Sequence, residues 1–500
     1  MRRGLGVAFL GVGAAGFSAI LGACSSALPD APRDAGESET TSEGGSAPSD
    51  AGEGGKDGGS EASKPGIDAG GTDAGPHGVI ALAAGTSHTC ALFGNASVKC
   101  WGDNVSGDLG LGDTAPHGSG AGEMGASLPV LDLGPGRTVK AIAAGYRHTC
   151  AILDDDSVKC WGLGVFGELG NGDQVSRGAA PNEMGASLPR VDLGPGRTAR
   201  AIAAGSGYTC VILDNGAVKC WGQNLAGELG LGDTNDRGTA SGQMGASLPA
   251  VDLGAGRTAK AIACGAHHTC AILDNDTVRC WGTNGSGELG LGDSTNRGTS
   301  AGQMGSSLPA VGLGPGRTAK QISTGSDFTC AILDNNAMKC WGFNGYGQLG
   351  LGKTADVGKN AGEMGASLPA VDLGPGRTAR AVRASIYSTC AILDDRSVKC
   401  WGLNWFGELG LGENSAPGHL LDRGDSAGEM GASLPAVDLG PGRSASAISG
   451  GHNFSCVILD DASVKCWGRN DTAQLGLGDT NDRGDAPGEM GAALPPLAFW

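Results

Sequence analysis

The chain has 500 residues, of which 94 are glycine and 4% aromatic, and it carries a net charge of -17. Such a composition suits short strands joined by many tight turns around small and branched side chains. The acidic balance excludes the clustered Lys and Arg of a phosphate-backbone binder, and it disfavours an anionic membrane surface for the same reason.

Met1-Arg2-Arg3 followed by the apolar, glycine-rich run Leu5 to Ile20 is the pattern of an export signal, and the run is too short for a membrane-spanning helix. It ends in Leu21-Gly22-Ala23-Cys24, which resembles a bacterial lipobox. Residues 1–24 are therefore expected to be a lipoprotein signal, with Cys24 lipid-modified after cleavage. An ordinary secretory signal with an incidental cysteine is the competing reading. Residues 25–76 are rich in Gly, Ala, Ser, Asp and Glu and almost lack large apolar side chains. They cannot offset the entropy of ordering, and a disordered acidic tether is expected there.

From Cys90 onward the chain repeats itself. Segments like Cys150 to Gly170, CAILDDDSVKCWGLGVFGELG, begin at Cys90, Cys150, Cys210, Cys270, Cys330 and Cys390 in steps of 60 residues, and at Cys456 after a step of 66. A period of this size with β-type content marks a repeat architecture, here of seven copies over residues 77–500. In the second copy the strand candidates are Val139–Ala144, Thr149–Leu153, Val158–Trp161 and Leu188–Leu193. Four short strands fit one antiparallel propeller blade. Asp154-Asp155-Asp156-Ser157 supplies a hairpin turn, and Gly194-Pro195-Gly196-Arg197-Thr198 joins the fourth strand to the next first strand.

Each copy places two cysteines ten apart around that hairpin turn: Cys90 and Cys100, Cys150 and Cys160, Cys210 and Cys220, Cys270 and Cys280, Cys330 and Cys340, Cys390 and Cys400, Cys456 and Cys466. Residues equidistant from a turn face each other across antiparallel strands, with Cα atoms about 4.5–5.5 Å apart, a separation a disulfide accepts. Seven disulfides require an oxidising compartment, which an export signal supplies. The spacing is not that of a zinc knuckle, and no metal is expected. Cys264 is left over in a slot that is Ala144 or Ala204 elsewhere, and reads as a small buried residue.

The motif Cys-Trp-Gly-x-Asn-x-x-Gly-Glu-Leu-Gly-x-Gly, seen at Cys220 to Gly232 after Tyr208-Thr209-Cys210, resembles the regulator of chromosome condensation repeat family. The resemblance spans roughly residues 77–500 and implies an all-β, seven-bladed propeller closed by pairing between the two ends of the chain. The founder of that family is a nuclear nucleotide-exchange factor for a small GTPase that binds chromatin. An exported, disulfide-rich, acidic chain is not expected to share that activity. The one length change is six residues in the sixth copy, around Ser415–Asp422.

Two windows break the uniformity of the copies. One lies between the first and second strands, as in Tyr146-Arg147-His148, and the other follows each Trp-Gly pair. Because connections alternate between the ends of an antiparallel blade, both windows belong to one face of the ring, opposite the Asp-rich hairpins. The candidate ligand-binding residues there are Tyr146, Phe166, Tyr208, Phe328, Phe343, Tyr346, Tyr387, Trp405, Phe406 and Phe454. Tyr and Trp suit interface anchors because they combine area with a polar handle. His88, His148 and His268 stand where the resembled family has His and read as structural. Trp405, Phe406 and Tyr346 leave two readings open, exposed anchor and packed loop.

No nucleophile motif, P-loop or zinc-protease motif occurs, so no catalytic residue, metal or cofactor is expected. Asp113, Asp173, Asp233, Asp293 and Asp479, with Glu123, Glu183, Glu363, Glu429 and Glu489, invite a calcium reading, but Lys353, Gln243 and Gln303 interrupt the series and turn capping fits better. The sequence points to a monomeric, non-catalytic recognition propeller of the bacterial cell envelope, an outer-membrane lipoprotein or cell-surface protein held by its lipid anchor. Its expected partner is an envelope protein or glycan, not nucleic acid. An exported proteinaceous enzyme inhibitor is the alternative. A GTPase exchange factor or a glycan-cleaving enzyme fits less well.

Overall fold

The computed structural model describes residues 75–413 and 421–500. Cys24, the proposed signal 1–24, nearly all of the tether 25–76 and most of the Ser415–Asp422 insertion lie outside the described residues.

Seven antiparallel sheets, one per repeat, follow one another along the chain. In the first repeat the strands are Val79–Ala84, His88–Phe93 and Val98–Gly102, and in the last Ala445–Ser449, Phe454–Leu459 and Val464–Gly468. The first strands of successive repeats adjoin one another around the molecule, and the last adjoins the first, so the ring is closed. The second and third strands are buried on both faces, which is why they read as near-continuous apolar runs rather than alternating ones.

The expected four-stranded blade is corrected to three regular strands plus an irregular outer segment. In the second repeat the stretch 188–193 meets its third strand through one ladder bond, Val191 N–H to the Val158 carbonyl at 2.9 Å. Pro189 has no N–H to give, and the neighbouring segment's groups are used elsewhere. The equivalent Asp132 carbonyl accepts from Gly185 N–H and the Leu133 carbonyl from Lys159 Nζ, both in the following repeat. The outer segment is thus a joint between repeats and not a fourth rung of its own sheet.

The seven cysteine pairs are disulfides, and each lies in register across the second and third strands, as Cys150 opposite Cys160. Backbone bonds at Leu153–Ser157 and Arg147–Leu163 bracket the pair, which places it at a non-hydrogen-bonded position, where opposed residues come closest. The Cα separation is 4.1 Å there, shorter than the spacing anticipated from ordinary pairs. Seven such bonds suit an oxidising compartment. Among the described residues no helix is long and apolar enough to cross a membrane.

Each repeat wedges one fully buried Trp against the repeat before it. Trp221 Nε1 donates to the Glu168 carbonyl at 3.0 Å, and Trp101 closes the circle on the Gln474 carbonyl at 3.0 Å. The close approach demands glycine: Gly476 sits at φ +68°, and a Cβ there would lie 2.7 Å from Trp101 Nε1. The first and last repeats meet as neighbours, with Val79, Phe93 and Trp101 packed against Ile458, Leu497 and Phe499.

Candidate functional site

In every repeat the two variable windows are tied side by side by a main-chain bond. Asp103 N–H reaches the Ser87 carbonyl, Leu163 reaches Arg147, Phe343 reaches Asp327, Leu403 reaches Tyr387 and Arg469 reaches Asn453, all at 2.7–2.9 Å. The windows therefore form one face, as strand direction requires. The opposite face repeats a single ion-pair theme, Arg137 with Asp154 and Asp155, Arg197 with Asp214, Arg257 with Asp274, Arg317 with Asp334.

The varied face is chemically sectored. In the first two repeats Arg147 pairs with Asp103 at 2.8 Å across the repeat boundary. In the seventh, Arg469 pairs with Asp471 at 2.5 Å and lies 5.4 Å from the centre of the Phe406 ring. In the fifth and sixth repeats Phe343, Tyr346, Tyr387 and Trp405 form one aromatic cluster. The Tyr346 ring lies 5.0 Å from Tyr387, 6.1 Å from Phe343 and 5.9 Å from Trp405, at tilted or edge-on angles of 52–79°. Trp405 is 45% exposed, and its three partners are partly buried. Tyr146 and Phe166 lie apart from this cluster, in the second repeat, with the Phe166 ring over Gly207.

Three of the predicted face residues are corrected to core. Tyr208, Phe328 and Phe454 are each 0% exposed. Each ring packs against the glycine three residues before it: a Cβ on Gly205 would meet the Tyr208 ring at 2.2 Å, and one on Gly325 would meet Phe328 at 2.1 Å. The slot is the one that His88, His148 and His268 fill, and their Nε2 atoms lie 2.9 Å from Thr149, Thr209 and Thr329 of the following repeats. Tyr208 takes over that link with its hydroxyl, donating to the His268 carbonyl at 2.6 Å and accepting from Thr269 at 3.1 Å. In the sixth repeat both members are small, Ser385 and Ser388, and the buried guanidinium of Arg383 reaches the Gly451 and Phe454 carbonyls at 2.9 Å instead.

Beneath the varied loops runs a ring that the sequence pattern did not flag: Asp108, Glu168, Glu228, Glu288, Gln348, Glu408 and Gln474, one per repeat and all buried. Each side chain accepts a main-chain N–H from two residues earlier, as Glu168 from Phe166 at 2.7 Å and Glu408 from Phe406 at 2.7 Å. Burial pushes the Glu168 and Glu408 carboxyls up to about 8 and Glu288 and Asp108 up to about 7. The signal was present in the sequence, an Asp, Glu or Gln always followed by Leu-Gly and, in six of the seven copies, preceded by Gly.

The acidic series that invited calcium is occupied by protein. Glu183 accepts three main-chain N–H groups, from Gly178, Ala179 and Ala180, at 2.9–3.0 Å, and Gln243 does the same work in the next repeat. Asp173, Asp233 and Asp293 hold Arg177, Arg237 and Arg297 at 2.6–2.7 Å. Among the described residues no group of three or more His, Cys, Asp or Glu could hold a metal ion. Cys264 is fully buried, and burial pushes its thiol up to about 12.

Comparison with known proteins agrees with this geometry. The model of the RCC1-like domain matches residues 45–371, and that of the regulator of chromosome condensation (RCC1) repeat matches residues 445–474. The ultraviolet-B receptor UVR8 of Arabidopsis thaliana is 29% identical over 413 residues, 82% of this chain and 81% of that protein. The human E3 ubiquitin-protein ligase HERC2 is 27% identical over 278 residues, 55% of this chain but 5% of that much longer protein. Among solved structures, Prp20p of Saccharomyces cerevisiae superposes with a TM-score of 0.59 at 18% identity, over 82% of this chain and 86% of the other. Human WBSCR16 gives 0.54 at 18% identity, over 76% and 90%. The chain belongs to the RCC1-like domain family.

Proposed function

We propose that this protein is a non-catalytic recognition propeller that binds a protein or glycan of the bacterial cell envelope through its varied face. The observation that carries the reading is the contrast between the two faces: one repeats the same Arg–Asp pair from copy to copy, while the other changes in every repeat and gathers four aromatic rings. Large amphipathic side chains at changing positions on an unchanging scaffold are how binding surfaces are built. Export through residues 1–24 and a lipid on Cys24 would place that face outside the cytoplasm, in keeping with the disulfides. Binding of Gsp1p and histones belongs to Prp20p, and at 18% identity that likeness carries the fold and nothing more.

The test is capture from envelope extracts and a glycan array by the purified chain and by a variant carrying Tyr346→Ala, Trp405→Ala and Phe406→Ala. A ligand retained by the first and lost by a variant of unchanged melting behaviour supports the reading. Equal retention by both overturns the assignment to this face. A tight one-to-one complex with an envelope enzyme, whose activity it blocks, would replace it with the inhibitor reading.

A further inference from the structure

The aromatic cluster does not stand on neutral ground. Phe343, at its edge, donates its N–H to the main-chain carbonyl of Asp327 at 2.8 Å, which ties that residue's backbone to the cluster. Asp327 is partly buried, accepts a hydroxyl from Ser326 at 2.7 Å, and has no ion-pair partner among the described residues. Its charge is felt by the Tyr387 hydroxyl, which burial and Asp327 together hold above the usual tyrosine range. It is also felt by the buried Glu288 below. Burial raises the Asp327 carboxyl above its ordinary range, against an opposing pull from the Ser326 hydroxyl bond and from His267, which also lies 3.4 Å from Glu228.

Four rings set edge-on and tilted to one another present walls and not a flat platform. A sugar stacks best on an open ring face, whereas a cation is drawn to several ring faces at once and to any carboxylate behind them. Resting on the reading that the varied face is the binding face, we propose that Phe343, Tyr346, Tyr387 and Trp405, backed by Asp327, form a subsite for an N-alkylated ammonium group. Methyl groups on the nitrogen spread the charge and weaken its hydration, which lowers the cost of moving it from water onto the rings. Asp327 supplies the charge complement that the rings alone lack.

The experiment uses the full-length chain and two probes of equal shape, choline and its neutral isostere 3,3-dimethylbutan-1-ol, with binding followed by Trp fluorescence and calorimetry. Choline is expected to bind at least about tenfold more tightly than the isostere, with Asp327→Asn erasing most of that difference and Trp405→Ala removing binding of both. Both variants are checked for unchanged thermal melting. Arg257→Ala, in the ion-pair series of the opposite face, should leave choline binding intact. Equal affinity for the two probes, no choline binding, or indifference to Asp327→Asn overturns the ammonium subsite yet leaves the recognition face standing. Choline binding that survives Trp405→Ala and Tyr346→Ala overturns the placement itself. A second arm with phosphatidylcholine vesicles separates the sources: retention that Trp405→Ala reduces and free choline competes away assigns the group to a lipid headgroup, and binding of free choline with no such vesicle retention assigns it to a solute.

Discussion

Lys99 Nζ donates to the carbonyl of Phe499 at 2.6 Å, joining residues 400 positions apart. The same ammonium also donates to the Gly125 carbonyl at 2.9 Å, so one buried cation ties the first repeat to the last. Six further copies of this joint occur around the ring, as at Lys159 and Lys219. Lys99→Met leaves two buried carbonyls without a donor and should cost about 2–4 kcal/mol, read from the urea midpoint. Lys99→Arg should cost much less, because Arg279 already performs this task in the fourth repeat. A methionine variant as stable as the parent would show that the cation is dispensable for closure.

The acid ring makes stability fall with rising pH. Burial holds Glu168 and Glu408 protonated up to about 8 in the folded chain, whereas the unfolded carboxyl ionises near 4.5. The folded state therefore binds more protons throughout that window, and stability is lost as pH climbs from 4.5 to 8. The double variant Glu168→Gln, Glu408→Gln should leave the melting temperature unchanged at pH 4 and raise it by a few degrees at pH 8. Gln348 and Gln474 already fill the same slot. An unchanged pH slope in the variant would mean these carboxyls ionise freely.

The buried histidines act with the opposite sign. Burial, with a smaller contribution from His88, drives His148 down to about 3, so the folded chain keeps it neutral while the unfolded chain protonates near 6.5. Its contribution is complete above pH 6.5 and is lost as pH falls toward 3. His148→Phe, copying Phe328, should flatten that acid limb and cost about 1 kcal/mol at neutral pH for the lost Thr209 bond. A limb as steep as the parent's would place the acid sensitivity elsewhere.

Two aromatic truncations separate packing from presentation. Tyr208→Ala opens a cavity and removes the hydroxyl's bonds to the His268 carbonyl and the Thr269 hydroxyl, which should cost about 3–5 kcal/mol. Trp405→Ala removes a half-exposed ring and should change stability by less than about 1 kcal/mol. Comparable losses from the two, measured by denaturant titration, would mean that Trp405 is packed.

Each disulfide closes a loop of ten residues. Replacing Cys150 and Cys160 together by Ala should cost about 2–3 kcal/mol on the chain-entropy account. Full reduction should lower the melting temperature far more than any single replacement. A chain indifferent to strong reductant would show that the ring is held by its packing alone.

Much of this molecule is written in its period. Repeat number, cysteine pairing and the sharing of one face by the two windows all followed from spacing and strand direction. What spacing could not convey was depth. Tyr208, Phe328 and Phe454 stand in a variable window, yet their variation is that of rings over a glycine: Gly205, Gly325 and Gly451 precede them by three residues, and where the ring shrinks to Ser388 the glycine becomes Ser385. That pairing was legible, but only once side-chain direction was known. The outer segment misled for a different reason. Leu188 to Leu193 alternates like a strand, but its carbonyls serve the neighbouring repeat, a partnership that no local pattern encodes.

The joints between repeats are made by Lys and Trp side chains reaching main-chain carbonyls. These particular bonds read only carbonyls and are indifferent to the side chain the neighbour bears, unlike the His–Thr links between the same repeats. The loop side chains can therefore differ from copy to copy, as they do here, without loss of the Lys and Trp bonds that join the repeats.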